Sequence, residues 1–153
     1  MRLFEPEQKK IFFLILSIVR NQDDADDVFQ DTALKACTNF KKLRDTGKFN
    51  AWLSKIAITT AYDYLKKRRR HIDIESVVLP YYDSYNEGDE GLRQAMLALE
   101  EEERTIVILK AVNGLQHKEI AQIVRRPEPT VRTIYARAVK KLADNLDKSG
   151  KEG

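Results

Sequence analysis

Four side chains recur on one side of a segment near the N-terminus, and their chemistry suits binding to another protein. Spacings of three and four residues place them on one helix face: Asp27, Gln30, Asp31 and Leu34. The opposite side carries the residues expected in the core: Phe29, Thr32, Ala33, Ala36, Cys37 and Phe40. A leucine among carboxylates has little use on a face that meets only water. The row is therefore either a solvated charged face or a docking face for a basic partner.

A second row, on a later helix, combines cations with a hydroxyl group and an aromatic ring. Its members are Lys55, Thr59, Tyr62, Lys66 and Arg69, and the helix continues into the basic run 66–70. An exposed tyrosine among cations can stack on an unpaired base while the charges hold phosphate groups. The alternative is a basic helix end that complements the helix dipole, although five consecutive cations exceed that need. The opposite side is a predicted core stripe: Phe49, Trp52, Leu53, Ile56, Ala57, Thr60 and Tyr64.

The C-terminal part of the chain predicts a helix-turn-helix. A short helix at 117–124, a break at 125–127 and a longer helix from 128 to about 146 have the lengths of this motif. Pro129 is compatible with it because a proline in the first helical turn loses no hydrogen bond. The expected core is Ile120, Ala121, Val124, Val131, Tyr135, Ala138 and Leu142. A basic helical hairpin without groove contacts is the alternative.

In a helix-turn-helix the second helix enters the major groove, and outward residues near its N-terminus read bases. Arg132, Thr133 and Ala136 have that placement. Among them Arg132 is best able to make a bidentate contact to guanine. The other polar residues suit the phosphate backbone: Arg126, Thr130, Arg137, Lys140 and Lys141.

The elements that position these rows are predicted to be helical throughout. The chain has 153 residues, of which 42% are hydrophobic and 33% charged, and apolar residues recur at three and four. We therefore predict an all-α protein with two small helical domains, at 1–71 and 92–153, joined by an acidic linker at 72–91. The linker contains no Lys or Arg. Helices are expected at about 6–20, 24–41, 50–71, 92–99, 100–112, 117–124 and 128–146.

Local signals predict how some of these helices begin and end. Asp24 is expected to cap the second helix, with Asp27 completing a capping-box-like arrangement. Gly47 marks the turn that follows it, and Asn113–Gly114 marks a stop in the second domain. The apolar residues of the helix before that stop are Ile106, Leu109, Ala111 and Val112.

Other features exclude several classes of protein. The single Cys37 cannot form an internal disulfide, which fits a reducing cytoplasm. The apolar run Ile11–Val19 is too short to cross a bilayer and is interpreted as a buried helix without membrane insertion, with a secretory signal as the alternative. His71 and His117 are isolated, and the sequence has no glycine-rich phosphate loop or metal-ligand cluster. We therefore expect no enzyme activity, no catalytic residue, no metal and no cofactor.

Together the motifs resemble a known family. The first half resembles region two of the extracytoplasmic-function sigma factors of bacterial RNA polymerase, in Asp24-Ala25-Asp26-Asp27-Val28-Phe29-Gln30-Asp31, Trp52-Leu53, Ile56-Ala57 and Asp63-Tyr64-Leu65 before the basic run. The second half resembles their region four, in Lys118-Glu119-Ile120-Ala121, Thr130-Val131-Arg132 and Arg137-Ala138. The resemblance covers nearly the whole chain in the family's order.

This resemblance implies a promoter-specific transcription initiation subunit that works by binding. It implies that Asp27, Gln30, Asp31 and Leu34 dock on the beta-prime clamp helices of core RNA polymerase. It further implies that the acidic linker threads towards the polymerase active site and the RNA exit path. An anti-sigma factor that covers these surfaces is implied as an additional partner.

For promoter DNA the resemblance implies two sites. Arg132 and Thr133 would read the minus-thirty-five element as duplex DNA. The melted strand of the minus-ten element would be held by the helix that carries Thr59, Tyr62, Asp63, Lys66 and Arg69.

The chain departs from the family's usual pattern at several of these positions. Thr59 stands where asparagine is usual, and Arg125 stands where the turn usually has glycine. In the recognition helix the departures are Pro129, Ile134 and Ala136. Two other functions therefore stay open at this point: a sigma-like regulator or decoy held by an anti-sigma factor, and a stand-alone helix-turn-helix regulator that binds a palindromic operator.

Overall fold

The structure, a computed structural model, describes residues 5–69 and 90–152. Within these two ranges every regular element is a helix, and the chain divides into two compact units, Met1–Tyr81 and Tyr82–Gly153. The prediction of an all-α protein with two helical regions is confirmed. Most of the predicted acidic linker lies outside the described residues, and helix α4 begins at Glu90. The domain boundaries at 71 and 92 stay predictions.

Three α-helices build the first unit: α1 (Gln8–Val19), α2 (Gln22–Asn39) and α3 (Phe49–Arg69). Short 3-10 turns at Glu5–Glu7, Phe40–Lys42 and Thr46–Lys48 precede α1 and join α2 to α3. The apolar run Ile11–Val19 supplies the centre of the unit, as predicted, with Ile11, Leu14, Ile15 and Leu16 fully buried. Each helix packs on the other two, so that three apolar stripes close one core.

The start of α2 differs from the prediction. Asn21, rather than Asp24, is the N-cap, because its extended backbone precedes the first helical residue and its side chain accepts a hydrogen bond from the Asp24 N–H at 3.0 Å. Asp24 is the third helical residue, and its side chain turns inward to become 8% exposed. The residue predicted to cap the helix therefore belongs to the interior of the unit.

Cys37 also differs from the prediction, since it is exposed. The buried stripe of α2 follows Val28, Thr32 and Ala36. Cys37 comes one residue after Ala36 and is therefore rotated by about 100° away from the core. At the end of α2, Phe40 contacts two aromatic rings of α3 edge to face. Its ring centroid lies 6.3 Å from that of Phe49 and 6.4 Å from that of Trp52.

The second unit contains α4 (Glu90–Leu97), α5 (Glu101–Val107), α6 (His117–Val124) and α7 (Glu128–Glu152). Helices α5 and α6 begin in the same way: the side chain of Glu103 accepts from the Glu100 N–H, and that of Glu119 accepts from the Gln116 N–H, both at 3.0 Å. The core joins α4, α5 and α6 to α7 through Ala95, Leu99, Ile106, Leu109, Ile120, Val131 and Ala138. The core predicted for the helix-turn-helix is thus present, with Ile120 and Val131 fully buried.

Helix α5 continues into a π-helical turn at Ile108–Val112, which was not predicted. The Asn113 N–H donates to the Ile108 carbonyl at 3.0 Å, five residues back instead of four. Along α5 and this turn Ile106 and Leu109 are fully buried, whereas Ala111 is exposed and Val112 is 39% exposed. The stop at Asn113–Gly114 is confirmed, with Gly114 at a φ of 69°.

Candidate nucleic-acid and protein interfaces

The four residues of the predicted docking row lie on one exposed face of α2. Asp27, Gln30 and Asp31 are exposed, and Leu34 is 67% exposed. The opposite side of the helix is buried through Val28, Thr32 and Ala36. Because the inward stripe satisfies the packing of α2, folding of this unit gives no reason for Leu34 to be apolar. We call Asp27, Gln30, Asp31 and Leu34 the docking row.

The second predicted row lies on an exposed face of α3. Lys55, Thr59, Tyr62 and Lys66 are exposed, with Tyr62 at 41%. Asp63, which only the resemblance assigned, is exposed beside Tyr62. Arg69 ends α3, and its side chain lies outside the described residues. This surface, the basic row, therefore offers an aromatic ring between two lysines and one turn from a hydroxyl group, a combination that can stack on a base and hold phosphate.

Arg68 differs from Lys66 and Lys67, which are exposed. Its guanidinium forms an ion pair with Oδ2 of Asp24, while the Tyr64 hydroxyl donates to Oδ1 of the same carboxylate at 2.6 Å. Burial raises the pKa of Tyr64 above its usual range, and the charge of Asp27 adds to this shift, so the phenol keeps its proton at neutral pH. Sequence reasoning missed this cluster. The signal was present, since Asp24 precedes Val28 by one turn on the buried stripe and Tyr64 precedes Arg68 by one turn.

The helix-turn-helix has the predicted bounds at its turn. Helix α6 ends at Val124, Arg125 takes a left-handed conformation with φ 59° and ψ 48°, and α7 begins at Glu128. Helix α7 runs to Glu152, beyond the predicted end near 146. In the left-handed conformation of Arg125, a non-glycine residue costs about 1 kcal/mol relative to glycine. The turn therefore forms although an arginine at position 125 disfavours its backbone conformation.

The outward face near the start of α7 carries the residues predicted to contact duplex DNA. Arg132, Thr133, Ala136 and Arg137 are exposed, whereas Thr130 is half-buried. Arg132 forms an ion pair with Glu128 at 2.9 Å, one turn earlier, and Thr133 Oγ1 donates to the Pro129 carbonyl at 3.0 Å. An exposed pair of this kind contributes only about 0.3–0.5 kcal/mol, so Arg132 can exchange Glu128 for a base at little cost.

Two other cations of this unit are held by acids of α5. Arg126 donates to both carboxylate oxygens of Glu102, and Lys141 binds Glu103 at 2.9 Å. Burial alone would raise the pKa of Glu103, but the hydrogen bonds from Lys141 and the Glu100 backbone, with the charges of Lys141 and Arg137, lower it overall. The predicted phosphate contact at Arg126 therefore starts from a paired side chain.

His117 is packed between the two helices of the motif. Its ring meets that of Tyr135 edge to face, with 5.6 Å between centroids. Burial lowers the pKa of His117, the positive charges of Lys110 and Arg132 lower it further, and Glu128 opposes them. The imidazole is thus mainly neutral at pH 7 in the free chain.

Within 5–69 and 90–152, three or more His, Cys, Asp or Glu side chains do not come together in a group that could hold a metal ion. Among the helices of the same ranges, none combines the length and the apolar character needed to cross a membrane.

Comparison with known proteins gives both halves of the chain a family. Residues 3–71 match the model of sigma-70 region 2, and residues 89–142 match that of sigma-70 region 4. The RNA polymerase sigma factor SigV of Bacillus subtilis is 31% identical over 146 residues, which cover 93% of this chain and 88% of SigV. The ECF RNA polymerase sigma factor SigW of the same organism is 25% identical over 155 residues, with 90% of this chain and 83% of SigW covered.

Solved structures share the fold. The sigma factor RpoE of Bartonella quintana, crystallised with the anti-sigma factor NepR, superposes with a TM-score of 0.78 at 24% identity, covering 96% of this chain and 98% of RpoE. CnrH in complex with the cytosolic domain of CnrY gives a TM-score of 0.65 at 22% identity, covering 96% and 86%. The chain belongs to the extracytoplasmic-function sigma factors of bacterial RNA polymerase, which are promoter-specific subunits that initiate transcription.

Proposed function

We propose that this sigma factor binds core RNA polymerase through the docking row of α2 and that its target is the beta-prime clamp helices. The observation that carries the proposal is Leu34, which is 67% exposed one turn after Asp31 on a helix whose opposite side is buried. A basic partner with an apolar pocket would bury the leucine and pair the acids. Such a central apolar anchor with a charged surround is typical of protein interfaces.

The basic row of α3 would hold the melted strand of the minus-ten element. In this proposal Tyr62 stacks on an extruded base, Thr59 and Asp63 offer hydrogen-bonding groups, and lysines at both ends bind phosphates. Capturing bases outside the duplex offsets an unstacking cost of about a few kcal/mol per step. Binding energy, without a chemical step, would therefore keep the promoter open. The site comprises Lys55, Thr59, Tyr62, Asp63, Lys66 and Arg69.

The helix-turn-helix would read the minus-thirty-five element as duplex DNA. Arg132, Thr133 and Ala136 would contact bases, and Arg126, Thr130 and Arg137 would contact the backbone. Ala136 presents only a methyl group, which suits the methyl group of thymine. Both Arg126 and Arg132 would first leave the carboxylates that they bind in the free chain.

Run-off transcription with purified core polymerase tests the proposal, on a fragment from upstream of the protein's own gene. The expected result is a discrete transcript that requires both this chain and the core enzyme. Retention of the core enzyme by the chain, measured separately, tests the docking row. Failure to bind core polymerase, together with no transcript from any such promoter, would contradict the proposed function.

An anti-sigma factor is a further proposed partner. RpoE, which was co-crystallised with the anti-sigma factor NepR, and CnrH, whose structure is a complex with the cytosolic domain of CnrY, share the fold of this chain. An inhibitor that covers the docking row would compete with core polymerase for Leu34. Core binding without a transcript would instead favour the decoy hypothesis, in which the altered recognition helix no longer supports initiation.

A further inference from the structure

A buried carboxylate connects the two interface helices of the first unit. Asp24, near the start of α2, is 8% exposed. It accepts a hydrogen bond from Tyr64 Oη at 2.6 Å and pairs with the Arg68 guanidinium, and both partners stand on α3. Tyr64 and Arg68 lie one turn apart on the same face. The contact joins positions 40 residues apart in the chain, so only the folded unit can form it.

The chemistry of this cluster favours one geometry. A carboxylate taken out of water is stabilised by hydrogen bonds and by an opposite charge, and here Oδ1 accepts the hydrogen bond from Tyr64 while Oδ2 is paired with the charge of Arg68. The phenol of Tyr64 is a donor at neutral pH already at the ordinary tyrosine pKa of about 10, and burial raises that pKa further. Moving the end of α3 away from α2 would leave a buried charge without these partners.

The cluster also divides the basic run by role. Lys66 and Lys67 are exposed, whereas Arg68 is half-buried with its guanidinium turned to Asp24. Arg68 is thus held against Asp24, in contrast to these two lysines. The cluster is adjacent in sequence to both proposed interfaces. Arg68 follows Lys66 of the basic row by two residues, and Asp24 precedes Asp27 of the docking row by three.

We propose that Asp24 is a positioning residue that holds the basic end of α3 against α2, so that the docking row and the basic row keep one fixed geometry. The inference rests on the proposed function for its consequence, since a fixed geometry matters when polymerase and a melted strand are bound together. A second tie supports the same arrangement further along α2, where the Lys35 ammonium donates to Thr60 Oγ1 at 3.2 Å.

Asp24→Asn tests the proposal, with Asp23→Asn as its matched control. Both substitutions remove one negative charge from the first turn of α2, but Asp23 is exposed. The native Cys37 is exposed on α2 and is the chain's only cysteine. A spin label on Cys37 and another on Lys67→Cys therefore report the distance between the two helices directly. Asp24→Asn should broaden this distance distribution, and Asp23→Asn should leave it unchanged.

Unlabelled protein then tests the consequence, at a temperature where circular dichroism shows each variant folded. With Asp24→Asn we expect core polymerase binding close to that of the parent chain and about tenfold fewer open complexes. If only net charge mattered, removing an acid near DNA would raise the affinity for DNA. A loss of open complexes therefore indicates that Asp24 acts by positioning α3. Tyr64→Phe, which keeps the ring and removes the hydroxyl, should give the same effect in weaker form, and it replaces Asp24→Asn if that variant does not fold.

Three results would overturn the proposal. The first is an unchanged distance distribution in folded Asp24→Asn. The second is a broadened distribution with normal open complexes, and the third is a parallel loss of core binding and open complexes, as a general folding defect would give. If the parent chain itself formed no open complexes, the proposed function would fail, while the distance measurement would still decide whether Asp24 positions α3.

Discussion

Arg126 is bound by both carboxylate oxygens of Glu102, with Nε to Oε1 at 2.7 Å and Nη2 to Oε2 at 3.1 Å. The pair links the turn of the helix-turn-helix to α5 and orients an arginine that was predicted to contact phosphate. Since both side chains are exposed, the pair is worth at most about 1 kcal/mol. If Arg126 contacts DNA as proposed, Glu102 competes with the DNA for this side chain without blocking the contact.

Replacing Glu102 by Gln should strengthen binding to duplex minus-thirty-five DNA, because Arg126 no longer has to leave a carboxylate. The expected gain is at most about fivefold, which corresponds to the worth of an exposed ion pair. Fluorescence anisotropy with a labelled duplex measures it. Glu101→Gln removes the same charge from an exposed neighbour and should give a smaller gain. Equal gains would show that the pair itself has no role.

Arg132→Ala should lower minus-thirty-five affinity by about 1–3 kcal/mol and relax the preference for guanine at one position. Arg137→Ala is the matched control, since a backbone contact should weaken all sequences alike and reduce the salt slope by about one. Binding selection from a randomised minus-thirty-five library separates the two effects. An unchanged preference with Arg132→Ala would exclude this side chain from base reading.

Leu34→Ala should weaken core polymerase binding by about 1.5–3 kcal/mol, the value of burying a leucine side chain. The free energy of unfolding should hardly change, because Leu34 is exposed in the free chain. Val112→Ala removes another exposed apolar side chain, in the second unit, and should leave core binding intact. Surface-immobilised core enzyme provides the measurement, and equal affinities for parent and Leu34→Ala would contradict the docking row.

Arg125→Gly should stabilise the second unit by about 0.5–1 kcal/mol, because glycine adopts a φ of 59° without steric cost. Arg125→Ala removes the same charge but keeps Cβ, so it should show no such gain. Arg20, at φ 58°, offers an independent test of the same reasoning in the first unit. Urea denaturation measures the free energy of unfolding of each variant. If Arg125→Ala stabilised the unit as much as Arg125→Gly, the cause would be removal of the arginine side chain and not relief of the backbone conformation.

Acid should destabilise the helix-turn-helix through His117. Its folded-state pKa lies below the ordinary 6.5, so the unfolded chain binds the proton more readily. Stability is therefore greatest above pH 6.5 and falls as the pH drops from there through the folded-state pKa. Hydrogen exchange of α6 and α7 between pH 7 and 5 follows this loss once the intrinsic exchange rate is corrected for. His117→Gln should flatten the profile over this interval.

Helical periodicity in the sequence alone determined the exposed faces that carry the docking row and the basic row. Asp27, Leu34 and Tyr62 lie on exposed faces as predicted, and the turn of the helix-turn-helix falls at the predicted residues. These features depend on contacts three and four residues apart, which a single helix contains in full. For the same reason short sequence motifs are sufficient to indicate the resemblance to sigma regions two and four.

Tertiary structure alone decided which residues from different helices share a site. Asp24 was expected to cap a helix and instead binds Tyr64 and Arg68, and Arg126 was expected to be free for phosphate and instead binds Glu102. Periodicity gives the orientation of one helix at a time, but the partner of a polar side chain depends on how two helices pack.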